Sequence, residues 1–463
     1  MKLSPISMKL VLLLITAFLL APLTALHATE GLLRTETWTE NWPDASGAME
    51  TRSVTAEVWT QAMQADLDAD GNLHIPAREK PYYIDGPIIL KSGQKLTADA
   101  KAEIRLKPGC NTCMVRNEHV LGFADQPVPS DSKPDTDITV EGGIWTTLAT
   151  ARAESNGNLR GLSSKLKPVP GTHGVILLQN VRRVTVRKIT VRQSRAFGLH
   201  MSNVRDFTVD GVTLDEHERD GVHVNGPASD GVIRNVSGVS HDDTVALNAW
   251  EWKNYAPSFG AIHDIVIEDI HGAPDGLPSA NSIRLLPGVK RFADGTPLDC
   301  PIHDITMRDI TDIRDFKLYD QPNLEVGRDN DASVGVGTLG NITFENLTFN
   351  RPGSIQVHAN TDFLNVRDVK LHFLPPANYH LIELGPKSAT YKHKPNEPAT
   401  WVEILSPDLD CTVRNVVVSG ARVGDAKIDL PIEQVVKVIE QKPNPDYPKT
   451  IPKGGTGKAI WIR

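Results

Sequence analysis

Apolar and polar positions alternate in short bursts along most of the chain. NVRRVTVRKITV from Asn180, NVRDFTVDGVTL from Asn203 and SDGVIRNVSGV from Ser229 share one phrase. It returns as IHDIVIEDI from Ile262, IHDITMRDI from Ile302, LGNITFENLTF from Leu339, FLNVRDVKL from Phe363 and DCTVRNVVV from Asp410. Each copy reads apolar-x-apolar, a polar pair, then apolar-x-apolar. Period-2 alternation predicts strand, and the polar pair predicts a bend between two short strands. Val184 to Phe207 and Val186 to Val209 are both steps of 23 residues. No helical pattern lies between the copies, so βαβ units are excluded. A β-sandwich would show two-residue Asn-Gly or Asp-Gly hairpin turns rather than a fixed register. The pattern predicts an all-β, single-stranded right-handed parallel β-helix, with three strands per turn and turns stacked about 4.8 Å apart.

Ahead of the coil, Val54 to Ala65 (VTAEVWTQAMQA) reads as a short capping helix. Asp66, Asp68, Asp70 and Gly71 imitate half of a calcium loop. The twelfth position is Ala77 rather than Glu, so a polar turn is expected there. After Leu381 the period fades. The expected division is a signal peptide over 1–28, an N-terminal segment and capping helix over 29–79, the β-helix over 80–420 and an irregular tail over 421–463.

Register turns the sequence into geometry. Phe197-Gly198-Leu199-His200-Met201, Asp220-Gly221-Val222-His223-Val224, Asp243-Thr244-Val245-Ala246-Leu247 and Asn281-Ser282-Ile283-Arg284-Leu285 occupy equivalent positions on four successive turns. Strand side chains alternate between faces. His200, His223, Ala246 and Arg284 are therefore expected to face outward in one column. Phe197, Asp220, Asp243 and Asn281 form a second, with Asp242 at the bend matching Arg219. Three carboxylates then lie within one or two turns. Like charges that close cannot all ionise cheaply, so at least one pKa is expected to rise, leaving an acid beside a base. Each of these acids, standing alone, would read as a solvated or backbone-capping bend residue.

Trp250, Glu251, Trp252, Tyr255 and Phe259 leave the strand after this turn. They either stack on sugar rings or pack the loop onto the coil. Two further long loops, Leu286 to Asp299 and Tyr319 to Val336, bring Lys290, Arg291 and Arg328, which either meet an acidic sugar or are solvated.

Composition narrows the class. The 463 residues carry a formal net charge of −8, without the basic excess of a nucleic-acid binder. Lys2 and Lys9 precede an apolar run, Leu10 to Leu20, and a small-residue exit near Ala28. That order predicts a secretory signal peptide and a secreted or periplasmic protein with no membrane span after its removal. A signal anchor is the alternative, because Leu26 departs from the A-x-A pattern. Cys110 and Cys113 form a C-x-x-C, expected as a local disulfide or as buried thiols, while Cys300 and Cys411 stand alone. No cofactor or metal is expected.

These residues resemble the pectin-lyase-like β-helix superfamily, and within it glycoside hydrolase family 28, the polygalacturonases. Glu218-Arg219-Asp220-Gly221 resembles the family's Asn-Thr-Asp-Gly, and His241-Asp242-Asp243 its Gly-Asp-Asp. The resemblance implies inverting hydrolysis of a glycosidic bond, with Asp242 as general acid and Asp220 with Asp243 activating water. It also departs. The family's next His-Gly position is Asn281, and its Arg-Ile-Lys segment corresponds to Asp315-Phe316-Lys317-Leu318-Tyr319, which keeps only Lys317. Arg284 supplies another cation. Substrate contacts are expected from His200, His223, His241, Trp250, Trp252, Asn281, Arg284 and Lys317. The partner is a polysaccharide, pectin-like or another, acidic or neutral. The alternatives are a polysaccharide lyase or epimerase on the same fold, with its base drawn from the His200–His223–Arg284 column, and a non-catalytic glycan-binding β-helix.

Overall fold

The computed structural model describes residues 31–43, 48–110, 112–120, 132–147, 174–194, 196–251, 256–273, 281–292, 294–318, 323–324, 337–385, 402–403, 413–424 and 430–438. These form a right-handed parallel β-helix. Three parallel ladders run its length. The first links 88–90, 115–117, 176–179, 199–202, 222–225, 245–248, 283–286, 315–318, 354–357, 382–384 and 436–438. The second stacks Val184, Phe207, Gly231, Ile265, Ile305, Ile342, Leu364 and Val416. The third stacks Ile189, Val212, Val236, Ile270, Ile310, Leu347 and Val369. Parallel crossovers of this kind take the right-handed sense.

The polar pairs of the repeat have a backbone reason. Arg183, Asp206, Asp230, Asp264, Asp304, Asn341 and Phe363 share one position of successive turns, and all have φ between +50° and +60°. Lys188, Asn235, Asp269, Asp309, Asn346 and Asp368 form a second such column. One left-handed residue turns the strand, and short Asn and Asp side chains tolerate that conformation best. The bend is so brief that strands run continuously through it, as in Gly174–Arg192 and Phe197–His217.

The core is the inward half of each ladder. Leu199, Val222, Val245, Ile283, Phe316 and Ile355 stack with no more than 1% exposure. Fully burying such a side chain stabilises by about 1.5–3 kcal/mol. Gly231 sits under a large neighbour: a Cβ there would lie 2.1 Å from Phe207 Cζ. Only glycine leaves room for that ring.

Several expectations are corrected. Val54 to Val58 belong to a strand, Met49–Val58, paired antiparallel with Arg34–Pro43. The helix, α1, is Thr60–Asp70, burying Ala62, Met63 and Leu67 against the first turn. Strand alternation in 49–58 overrides the helical reading. Asp66, Asp68 and Asp70 are helical rather than a polar turn; Gly71 ends α1 in the left-handed conformation, donating its N–H to the Leu67 carbonyl. Parallel pairing starts earlier than residue 80, at Asn72–Ile75, and reaches past 420, where Val436–Val438 pairs with Ile382–Leu384. The stretch 286–299 contains a hairpin, Gly288–Arg291 with Pro297–Cys300, rather than an open loop. Cys110, Cys113 and Cys300 are free thiols, and burial pushes the Cys113 thiol up to about 11. The proposed signal peptide, Cys411, Tyr255, Trp252 and Arg328 lie outside the described residues. No described helix is long and apolar enough to cross a membrane.

Candidate active site

The site lies where the third ladder bends into the first, across three turns. Gly198 N–H donates to the Asp220 carbonyl, and Gly221 N–H donates to the Asp243 carbonyl, so these bends stack directly. A Cβ at Gly221 would lie 2.5 Å from Leu214 Cδ1 and 2.7 Å from the Thr244 carbonyl. The Asp-Gly pair therefore has a packing reason beside any chemical one. His217 supports the same bend: its Nε2–H donates to the Asp220 carbonyl at 2.9 Å. Burial pushes the His217 imidazole down to about 4, so it is neutral.

The outward column reads His200, His223, Ala246, Arg284, Lys317, as expected for its first four members. Beside it, one oxygen each of Asp220, Asp242 and Asp243 lie within 4.8 Å of one another. Their surroundings differ. Asp243 is fully buried, with Arg284 Nε 2.9 Å from Oδ2 and Lys317 Nζ 3.0 Å from Oδ1. Burial alone would raise its pKa, but these two cations hold it below the usual carboxylate range. Asp242 keeps 23% of its side chain exposed and accepts a hydrogen bond from Arg219 Nη1 at 2.8 Å. Burial, then the charges of Asp220 and Asp243, push it up to about 6. Asp220 is 5% exposed, faces His223 Nδ1 at 2.6 Å and accepts from the Asp243 N–H at 3.3 Å. Burial, then the Asp243 charge, push it to about 6 as well. One carboxyl held below the usual range beside two raised to about 6 places a base and an acid in one cluster.

The trio also has the donor set for a divalent cation. Arg219, Arg284 and Lys317 already pair with it, three cations against three acids. A metal ion would have to displace them. A second group, Glu118, His119 and Asp135, offers ligand atoms at similar separations. There Asp135 is occupied by Asn117 Nδ2 and by the N–H and Nδ1 of His119.

Other predicted site residues fall elsewhere. His200 and His223 point off the coil as expected, yet neither is exposed. His200 Nε2 meets Asn225 Oδ1 at 2.8 Å, and Phe197 stacks on His223 at 4.0 Å with rings 4° from parallel. Asn281 is buried, and its Oδ1 accepts from the Ser240 N–H and the Thr244 hydroxyl. It braces the bend. Ser282, not Asn281, pairs with Asp243, because the ladder slips by one residue between Asp243 and Val245. Uniform register could not foresee that bulge. Trp250 is fully buried in the core, so packing the loop, not sugar stacking, is its place. Lys290 is buried with its Nζ 4.4 Å over the Phe259 ring, and Arg291 is exposed on the hairpin. His241 faces Glu216, 3.6 Å from its Oε2.

Two charged members were missed as site residues. Arg219 holds Asp242, and its match to that position one turn away was the available signal. Glu251 is 4% exposed, hydrogen-bonded by Asn248 Nδ2 and 3.5 Å from His223 Nε2. Nothing in a loop of aromatic residues singled it out.

No family model and no curated protein matches the chain. Among solved structures it is similar to a family 28 exopolygalacturonase of Yersinia enterocolitica, at 13% identity, TM-score 0.42, covering 89% of this chain and 84% of that one. A polygalacturonase of Erwinia carotovora is similar at 12% identity, TM-score 0.41, over 83% and 94% of the two chains. The surface adhesin PfbA of Streptococcus pneumoniae is similar at 11% identity, TM-score 0.44, over 83% and 97%. These printed names span hydrolases and an adhesin, and at such scores none assigns a role.

Proposed function

We propose that the protein is an exported glycoside hydrolase that cleaves a polysaccharide at Asp220, Asp242 and Asp243. The observation that carries this reading is the convergence of three carboxyl groups within 4.8 Å in two protonation regimes. Asp242 is the general acid. It is the most exposed of the three, and its raised pKa keeps a proton available for the leaving oxygen. Asp220 takes the proton of the attacking water. Asp243, closed to solvent, stays ionised; its charge raises Asp220 and anchors Arg284 and Lys317 beside the substrate. Those cations and Arg219 favour a glycan bearing acidic groups. Export follows from the N-terminal pattern over residues 1–28. The buried, hydrogen-bonded His200 and His223 make poor bases for a lyase.

The decisive experiment is a screen of purified protein against plant and algal polysaccharides. We expect new reducing ends without the ultraviolet absorbance of an unsaturated sugar, and a loss of about 10²–10⁴-fold in Asp242→Asn. Absorbance of an unsaturated product would instead establish a lyase. Unchanged function in Asp242→Asn would leave only a glycan-binding coil. Product stereochemistry sharpens the roles. The oxygens approach more closely than the about 6.5–9.5 Å usual between the carboxyl groups of inverting enzymes. Inversion requires the groups to part around a water, whereas retention would make Asp220 the nucleophile. NMR of the nascent anomer distinguishes the two.

A further inference from the structure

Asp220 does not end at its own carboxyl group. Its Oδ2 lies 2.6 Å from His223 Nδ1, and across the ring His223 Nε2 lies 3.5 Å from Glu251 Oε2. All three side chains are at least nine-tenths buried. Phe197 stacks flat on the imidazole and fixes its plane, with His200 edge-on at 5.2 Å between centroids. Among the described residues, the carboxylates of Asp220 and Glu251 face the two nitrogens of this clamped ring. We propose that Asp220 and Glu251 share a single proton through the ring of His223. The proposal rests on the hydrolase reading for its purpose, but not for its test.

The two forms carry equal charge. In one, Asp220 is protonated and donates to Nδ1, while Nε2–H donates to ionised Glu251. In the other, Asp220 is ionised and accepts from Nδ1–H, while protonated Glu251 donates to Nε2. Conversion moves one proton from Asp220 to Nδ1 and one from Nε2 to Glu251. No bond between heavy atoms changes, and nothing is exchanged with solvent. The Nε2–Glu251 distance must close by a few tenths of an ångström, as catalytic hydrogen bonds in unliganded enzymes commonly do. A neutral ring is required throughout. Burial, with the positive charges of Arg219 and Arg284, pushes His223 down to about 3. The charges of Asp242 and Asp243 also face His223. The device lets Asp220 act as a base while its neighbourhood favours the protonated form. His223 and Glu251 are thus positioning residues for its proton.

Histidine-selective ¹⁵N NMR tests this directly. Wild-type His223 should show ring-nitrogen shifts averaged between the two tautomers near pH 6. Glu251→Leu should drive it to the Nδ1–H form, because only Asp220 then remains to accept. In kinetics, the acid limb of kcat/KM should fall by about one pH unit in Glu251→Leu as a negative charge is removed. His223→Phe should move the same limb, and Glu251→Leu should add nothing in that background. A merely structural Glu251 would leave the tautomer of His223 unchanged when it is replaced. A single tautomer from pH 4.5 to 8, unchanged by Glu251→Leu, overturns the proposal. Tautomer exchange in a protein that cleaves no glycan would keep the relay and remove the hydrolase. Hydrolysis with an unmoved limb would do the reverse.

Discussion

Two pairs of histidines sit on adjacent turns of the same coil. His200 pairs with His223 on the first ladder, and His263 pairs with His303 on the second. Both pairs point off the coil. His263 and His303 keep 35% and 39% of their side chains exposed, rings stacked 4.9 Å apart and 1° from parallel, each held by the aspartate that follows it. His200 and His223 are sealed, nearly perpendicular at 86°, among Phe197, Asn225, Asp220 and Glu251. One ladder geometry thus serves two environments. The difference comes from what covers the outward face. On the first ladder the chain leaves after Asn248 and returns with Trp250 and Glu251 packed down; on the second, His263 and His303 stay partly exposed. Removing water is what chiefly pushes the His223 imidazole down to about 3.

The same contrast separates the ion pairs, and that offers the largest test. Arg284→Met leaves Asp243 buried with Lys317 alone. It should destabilise by about 3–5 kcal/mol in urea unfolding at pH 7. A loss below about 1 kcal/mol would mean that the site is wetter than the burial of Asp243 indicates.

Acid comes next. His217 and His223 have depressed folded pKa values, so their contribution is present above about 6.5 and is lost as pH falls. From its value of about 4, His217 alone accounts for about 3 kcal/mol lost by pH 3. His217→Gln, whose amide can still donate to the Asp220 carbonyl, should flatten that dependence. Asp220 and Asp242 act with the opposite sign: their folded pKa values are raised, so stability falls as pH rises from about 4 through 6. Equal acid curves for the wild type and His217→Gln would overturn this account of the buried imidazole.

The smallest effect belongs to the open face. Arg308 meets Glu268 across adjacent turns with 45% of its side chain exposed. Arg308→Met should change stability by no more than about 0.5 kcal/mol, and salt should shrink even that.

Local chemistry is what the sequence by itself determined. Alternation, the polar pairs and the 23-residue step specify strands, left-handed bends and the stacking of one turn on the next. From these follow the coil, the column His200–His223–Ala246–Arg284 and the grouping of Asp220, Asp242 and Asp243. Each depends on residues a fixed number of positions apart, and repetition carries that number along the chain. The tertiary structure alone decided whatever breaks the repetition. The slip at Thr244 replaced Asn281 by Ser282 opposite Asp243, and Asn281 became a brace. An insertion folded Trp250 into the core and brought Glu251 against His223. Two cations from successive turns converged on Asp243. Burial and charge proximity are sums over neighbours distant in sequence, and an insertion has no register from which to predict them. That is why the acids were legible as a group, while their division into one carboxyl held below the usual range and two raised to about 6 was not.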